Sequence, residues 1–111
     1  MKKVSFIITS LLATTLAIGQ KATDNFIGKY KTDDGGIVTI IKISGDFVGT
    51  DESNRTVLKD VKFDGKEWKA TVINPKKGVT ASGEILLENN RLKIVAHKGF
   101  LSKTIYWDLI K

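Results

Sequence analysis

His97 is the only imidazole in the chain, and there is no cysteine. Familiar zinc sites draw several ligands from His and Cys, so one histidine without thiols anchors none of them. As a general base, His97 would need a nucleophile within hydrogen-bond reach, and its neighbours Ala96 and Lys98 supply none. Strand alternation points it outward, as an exposed structural histidine. The carboxylates are no more suggestive. Asp33, Asp34, Asp46, Asp51, Glu52 and Asp64 fall in turns and loops, and Glu84 and Glu88 on outward positions. No inward pair remains for acid–base or glycosidase chemistry. Gly65, Gly78 and Gly83 are hairpin or bend residues with no strand-to-helix junction to cradle a phosphate. The expectation is a non-enzyme without catalytic residues, metal or cofactor.

What remains is aromatic. Tyr30, Phe63, Trp68 and Trp107 could line one end of a barrel as a ligand cage, or fill the same space as a structural plug, since large aromatics dominate small cores.

The elements that must position them read as about eight short strands. Phe26–Lys31 is followed by the turn residues Asp33-Asp34-Gly35-Gly36. Ile37–Ile43 is β-branched almost throughout, which favours a strand. Phe47–Thr50 is short, and the strand opening at Val57 alternates, with Val57, Val61 and Phe63 on one parity and Leu58 on the other. Trp68, Ala70 and Val72 follow the Asp64-Gly65-Lys66 turn, and Asn74-Pro75-Lys76-Lys77-Gly78 makes a wider loop. Ala81, Gly83, Ile85 and Leu87 face inward, with Gly83 suggesting a bulge or bend. Asn89-Asn90 is a two-residue turn, and Leu92, Ile94 and Ala96 precede a last strand with Ile105, Trp107 and Leu109 on one side. Regularly spaced strands and tight turns predict an all-β antiparallel up-and-down meander. Closing it into a roughly eight-strand barrel removes its edges, and leaves room for side chains or one small ligand.

Strand Ile37–Ile43 is apolar on both faces: Ile37, Thr39, Ile41 and Ile43 on one, Val38 and Ile40 on the other. Either a loop, the amino-terminal segment or strand twist covers the second face, or Val38 and Ile40 form an exposed patch for self-association or a protein partner.

Met1–Gly19 is predicted to be a signal peptide, removed from the working protein. Lys2 and Lys3 precede an apolar run from Val4 to Ile18, and Ala17-Ile18-Gly19 offers small residues for cleavage. The run falls short of the roughly 20 residues of a spanning helix, so the mature chain is expected to have no membrane span. Without cysteine it carries neither disulfides nor a lipid anchor on cysteine. Residues 20–111 form one domain with a thin core, since a chain this size buries only about 60–65% of its unfolded surface. Removing Lys2 and Lys3 lowers the formal charge from +6 to about +4. The basic residues are interspersed with acids rather than clustered, which argues against nucleic acid as a partner.

From Gly65 to Trp107 the chain resembles a bacterial family of exported proteins, the domain of unknown function 2147 family. The matching residues are Gly65, Trp68, Asn74-Pro75-Lys76-Lys77-Gly78, Leu87-Glu88, Leu92-Lys93-Ile94, Gly99-Phe100 and Trp107, with Ile27-Gly28-Lys29-Tyr30 fitting its Gly-x-Trp opening. The likeness implies export to the bacterial periplasm or beyond, with no assigned activity. A looser similarity is to lipocalins and fatty-acid-binding proteins, which open on a Phe-x-Gly-x-Trp-like strand closing one barrel end beneath a basic side chain. It implies that Phe26, Gly28 and Tyr30 play that part with Lys103 as the basic lid. Two functions follow as expectations. One is a binding module for a small apolar or lipid-like ligand, with Tyr30, Phe63, Trp68, Lys103 and Trp107 as the ligand-binding set. The other is a structural or protein-interaction protein of the periplasm or cell surface.

Overall fold

The computed structural model describes Gln20, Lys21 and residues 23–111; the expected signal peptide, Met1–Gly19, lies outside the described residues. Eight antiparallel strands follow one another around a closed barrel: β1 (Gly28–Lys31), β2 (Ile37–Ile43), β3 (Asp46–Thr50), β4 (Thr56–Phe63), β5 (Trp68–Asn74), β6 (Val79–Glu88), β7 (Arg91–Lys98) and β8 (Leu101–Leu109). The expected all-β meander is therefore the fold, and no helix occurs among the described residues. Its hairpins are set by turn chemistry. Ser44-Gly45 (φ 51° and 87°) and Asn89-Asn90 (φ 52° and 67°) place both central residues in the left-handed region, as turns matching the strand twist require.

Alternate strand positions point into the barrel, where Val38, Ile40, Leu58, Ile85, Leu92 and Ile94 are buried. The end bounded by the β2–β3, β4–β5 and β6–β7 turns is closed by aromatics. Phe26, Phe47 and Trp68 pack edge to face with centroids 5.2–5.8 Å apart, and Phe63 lies 5.3 Å from Trp68. The segment before β1 straps this plug in place: Trp68 Nε1–H donates to the Lys21 carbonyl at 2.9 Å.

Three expectations change. Val38 and Ile40 are 2% and 0% exposed, so they are core, and the outward face of β2 carries Ile41 and Ile43 instead. The pleat decides this: Tyr30 pairs with Val38, and Gly49 with both Ile40 and Leu58, on the inner face. Second, Leu58 faces inward, because β4 is bulged twice. Between Gly49↔Leu58 and Thr50↔Thr56, β4 carries one residue more than β3, which turns both Val57 and Leu58 inward. Between Lys59↔Thr71 and Lys62↔Lys69 it carries one more than β5, with Asp60 at φ 52°. Each extra residue shifts the parity. Third, Gly83 is not a bulge: Ala70, Gly83 and Ala96 align in an unbroken register. A Cβ at Gly83 would lie 2.7 Å from the Val95 carbonyl oxygen, so glycine here permits a close approach of β7.

The ring closes on a short strand. β1 pairs with β8 through Tyr30↔Leu109 and Lys31↔Asp108, extended by the Ile110 N–H, which donates to the Lys29 carbonyl at 2.8 Å, after which Thr32–Gly36 turns away. The rest of β8 is paired with β7 alone among the described residues. The barrel is thus sealed near one end and split along its β1–β8 seam toward the other.

Candidate functional site

At the split end lies a cavity of about 560 Å³, bounded by the β1–β2, β3–β4 and β5–β6 loops and by β8. Its floor is apolar. Val38, Val57 and Val72 meet Ile105 and Trp107 there, because inward parity continues to the last turn of each strand while the plug fills only the opposite end. Trp107, opposite Leu92 on β7, is buried beneath the cavity.

The rim is charged: Asp33, Asp34, Asp51 and Glu52 line it with Arg55, Lys76 and Lys103, and all of these acids but Asp33 are hydrogen-bonded within or between the loops. The Asp34 carboxylate accepts from the Thr32 hydroxyl and from the Gly36 N–H; these bonds, the Thr32 one foremost, hold its pKa below 3.8. Asp51 accepts from the N–H groups of Arg55 and Ser53 and from the Arg55 guanidinium, each at 2.9 Å. The Arg55 N–H leads in lowering its pKa in turn. Glu52 accepts from the Ile37 N–H at 3.3 Å, tying the β3–β4 loop to β2. Lys76 and Asp34 approach to 3.9 Å, linking the β5–β6 and β1–β2 loops across the mouth. The mouth thus combines an apolar floor with a rim of mixed charge in which the Lys103 ammonium has no carboxylate partner among the described residues.

The expected ligand-binding set is divided by the fold. Lys103 and Trp107 line the cavity, whereas Phe63 and Trp68 belong to the plug at the other end. Tyr30 is fully buried, and its hydroxyl donates to the Phe26 carbonyl at 2.8 Å; burial raises its pKa. The basic lid over Phe26 and Tyr30 is also corrected. Lys103 stands six residues before Leu109, the partner of Tyr30, or about 20 Å along β8, so it borders the mouth and not the plugged end. Val57, Val72 and Ile105 lie outside the sequence-derived set, although alternation puts them on the parities of Phe63, Trp68 and Trp107.

His97 does have a hydroxyl beside it. Ser102, its cross-strand partner on β8, brings Oγ to 2.8 Å from Nδ1, and Glu84 on β6 brings Oε1 to 2.7 Å from Nε2. A carboxylate only accepts, so Nε2 donates to Glu84, and Nδ1 shares a hydrogen bond with the Ser102 hydroxyl. The order of a nucleophile, a base and an orienting acid is present, but on the outer face, and none of the three lines the mouth cavity. Its effect is to pin β6, β7 and β8 together. Among the described residues no group of three or more His, Cys, Asp or Glu is placed to hold a metal ion. No family model, curated protein or solved structure matches the chain.

Proposed function

We propose that this protein is a small exported barrel that binds an apolar or lipid-like ligand in the mouth cavity and is not an enzyme. One observation carries the reading: a cavity of about 560 Å³ with an apolar floor of Val57, Val72, Ile105 and Trp107 and a free Lys103 at its edge. That volume falls in the range of small-molecule sites. Lys103 and Trp107 are the ligand-binding residues retained, with Lys103 facing an anionic head group. Export, with removal of residues 1–19, is supported by the basic start and apolar run of Met1–Gly19, and membership of the domain of unknown function 2147 family by the pattern from Gly65 to Trp107.

The test is a titration of Trp107 emission in a Trp68→Phe variant with fatty acids of increasing length. Burial of about 0.8 kcal/mol per methylene makes each added carbon tighten binding about fourfold until the cavity is full. Lys103→Glu should weaken the whole series. A flat response across all chain lengths refutes the proposal.

A structural or interaction role has one observation in its favour, the outward face of β2, where Ile41 and Ile43 are 44% and 51% exposed. If that face associates, Ile41→Asp and Ile43→Asp convert an oligomer to a monomer in sedimentation; a monomeric wild type that captures no partner excludes the role.

A further inference from the structure

The β7–β8 turn carries the most exposed apolar residues among those described: Phe100 is 97% and Leu101 67% exposed. Neither is part of the mouth cavity lining. Leu101 shares the inward parity of Lys103, Ile105 and Trp107, but lies beyond the ring, at the same end as the mouth. Val79, at the start of β6, is also exposed, and Lys98 donates from Nζ to the neighbouring Thr80 carbonyl at 3.2 Å. The Lys98 ammonium thus sits at the base of the tip, beside the start of β6.

Charge is divided around this end. The β1–β2 and β3–β4 loops bring Asp33, Asp34, Asp51 and Glu52. The β5–β6 and β7–β8 turns bring Lys76, Lys77, Lys98 and Lys103 and, over residues 75–78 and 98–103, no carboxylate. Two exposed apolar side chains on a narrow tip offer far less than the roughly 1,000 Å² of a specific protein interface. A symmetric contact with a second copy would set these lysines against their own images. A surface that accepts an apolar wedge at its boundary and attracts lysines from a distance is an anionic bilayer.

We propose that the Phe100-Leu101 tip inserts into the interfacial layer of anionic membranes, with Lys77 and Lys98 against the head groups and Lys76 exchanging its 3.9 Å pairing with Asp34 for them. Docking this way brings the mouth to the lipid surface. It does not depend on the cavity being loaded: a flat fatty-acid titration would leave it standing.

The test places a reporter at the tip of the full chain, so that any other membrane attachment leaves the signal interpretable. Phe100→Trp, at a position almost wholly exposed, should fold as the wild type does. Its emission is recorded, with the wild-type signal subtracted, on phosphatidylcholine vesicles with and without roughly 30% phosphatidylglycerol. The expected result is a blue shift and quenching by lipids brominated on their acyl chains, on the anionic vesicles. The Lys76→Glu/Lys77→Glu/Lys98→Glu combination should require at least about tenfold more lipid, and molar salt should weaken docking. Emission unchanged from buffer on both vesicles overturns the proposal, as does a shift indifferent to the lysine replacements. A blue shift that grows with protein concentration in the absence of vesicles, or that requires an added protein extract, assigns the tip to a second copy or a protein partner and overturns it equally.

Discussion

Replacing Gly83 by alanine tests the packing of the most extensively paired part of the barrel. The added Cβ would stand 2.7 Å from the Val95 carbonyl oxygen, 0.7 Å inside the 3.4 Å at which ordinary contact begins. The obstacle is backbone on a strand paired on both sides, from Ser82↔His97 to Glu88↔Arg91 and from Arg91↔Asp108 to Lys98↔Leu101, so it cannot swing away as a side-chain tip would. Forcing a methyl into a well-packed interior typically costs about 1–3 kcal/mol, while removing a strand glycine returns about 0.5–1 kcal/mol of chain entropy. The net expectation is about 1 kcal/mol of destabilisation, and for a domain of this size a fall in Tm of about 4–8 °C. Thermal melts followed by circular dichroism, with urea midpoints alongside, give the number. NMR contacts between the backbones of Gly83 and Ala96 in the wild type check the register itself. A variant as stable as wild type would refute the close approach and restore a bulge at Gly83.

The two faces of β2 should respond oppositely to charge. Val38→Asp places a carboxylate in the core and is expected to cost more than about 3 kcal/mol, whereas Ile41→Asp on the outer face should cost about 1 kcal/mol at most; urea unfolding compares them, and equal losses would contradict the assigned parity. Acid should weaken the fold through its turns. Asp34, Asp51 and Asp64 are held below 3.8, Asp64 chiefly by the Glu67 and Lys66 N–H groups, so the unfolded chain takes up protons first. Their contribution is present above 3.8 and is lost as pH falls through the lower folded values. Urea midpoints should hold between about pH 7 and 5 and drop below about pH 4, less steeply in Asp51→Asn; an unchanged midpoint at low pH would rule the turns out as its source.

Much of this architecture was legible because hairpins are local. β2 and β6 have the bounds their composition suggests, and Asn89-Asn90 and Gly78 take the positive φ their turns need. The misreadings have a common origin in relations between strands. Alternation cannot register the extra residues of β4, so it sets Leu58 on the parity opposite Val57 and Phe63. It cannot choose between two apolar faces, so it leaves Val38 and Ile40 open to core or surface. Gly83 carries no mark that separates a bend from a close neighbour. Ser102 and Glu84 meet His97 only across two ladders, 5 and 13 residues away in sequence. The cavity was half visible: its floor follows from parity, but its place at the split end depends on where the aromatics congregate.

The short β1 has a consequence for how the ring forms and breathes. Between consecutive strands no paired residues are more than 17 apart in sequence, as in Arg91↔Asp108, whereas Tyr30 and Leu109 are 79 apart. The meander can therefore assemble by successive short hairpins, and among the strand pairings only the final latch joins distant parts of the chain. Contacts of long sequence separation carry the largest closure entropy, and here two register pairs, the Ile110–Lys29 backbone bond and the packing of Leu109 against the core must offset it. The latch is thus the element expected to undo first, with the Ile110 amide, which donates to the Lys29 carbonyl across the seam, exchanging before those of β6 and β7. Thr32–Val38 lie on one side of it and Lys103–Trp107 on the other, and both border the cavity. Parting the latch would widen the mouth while the hairpins from β2 to β8 stay intact, giving a barrel without helices its own door.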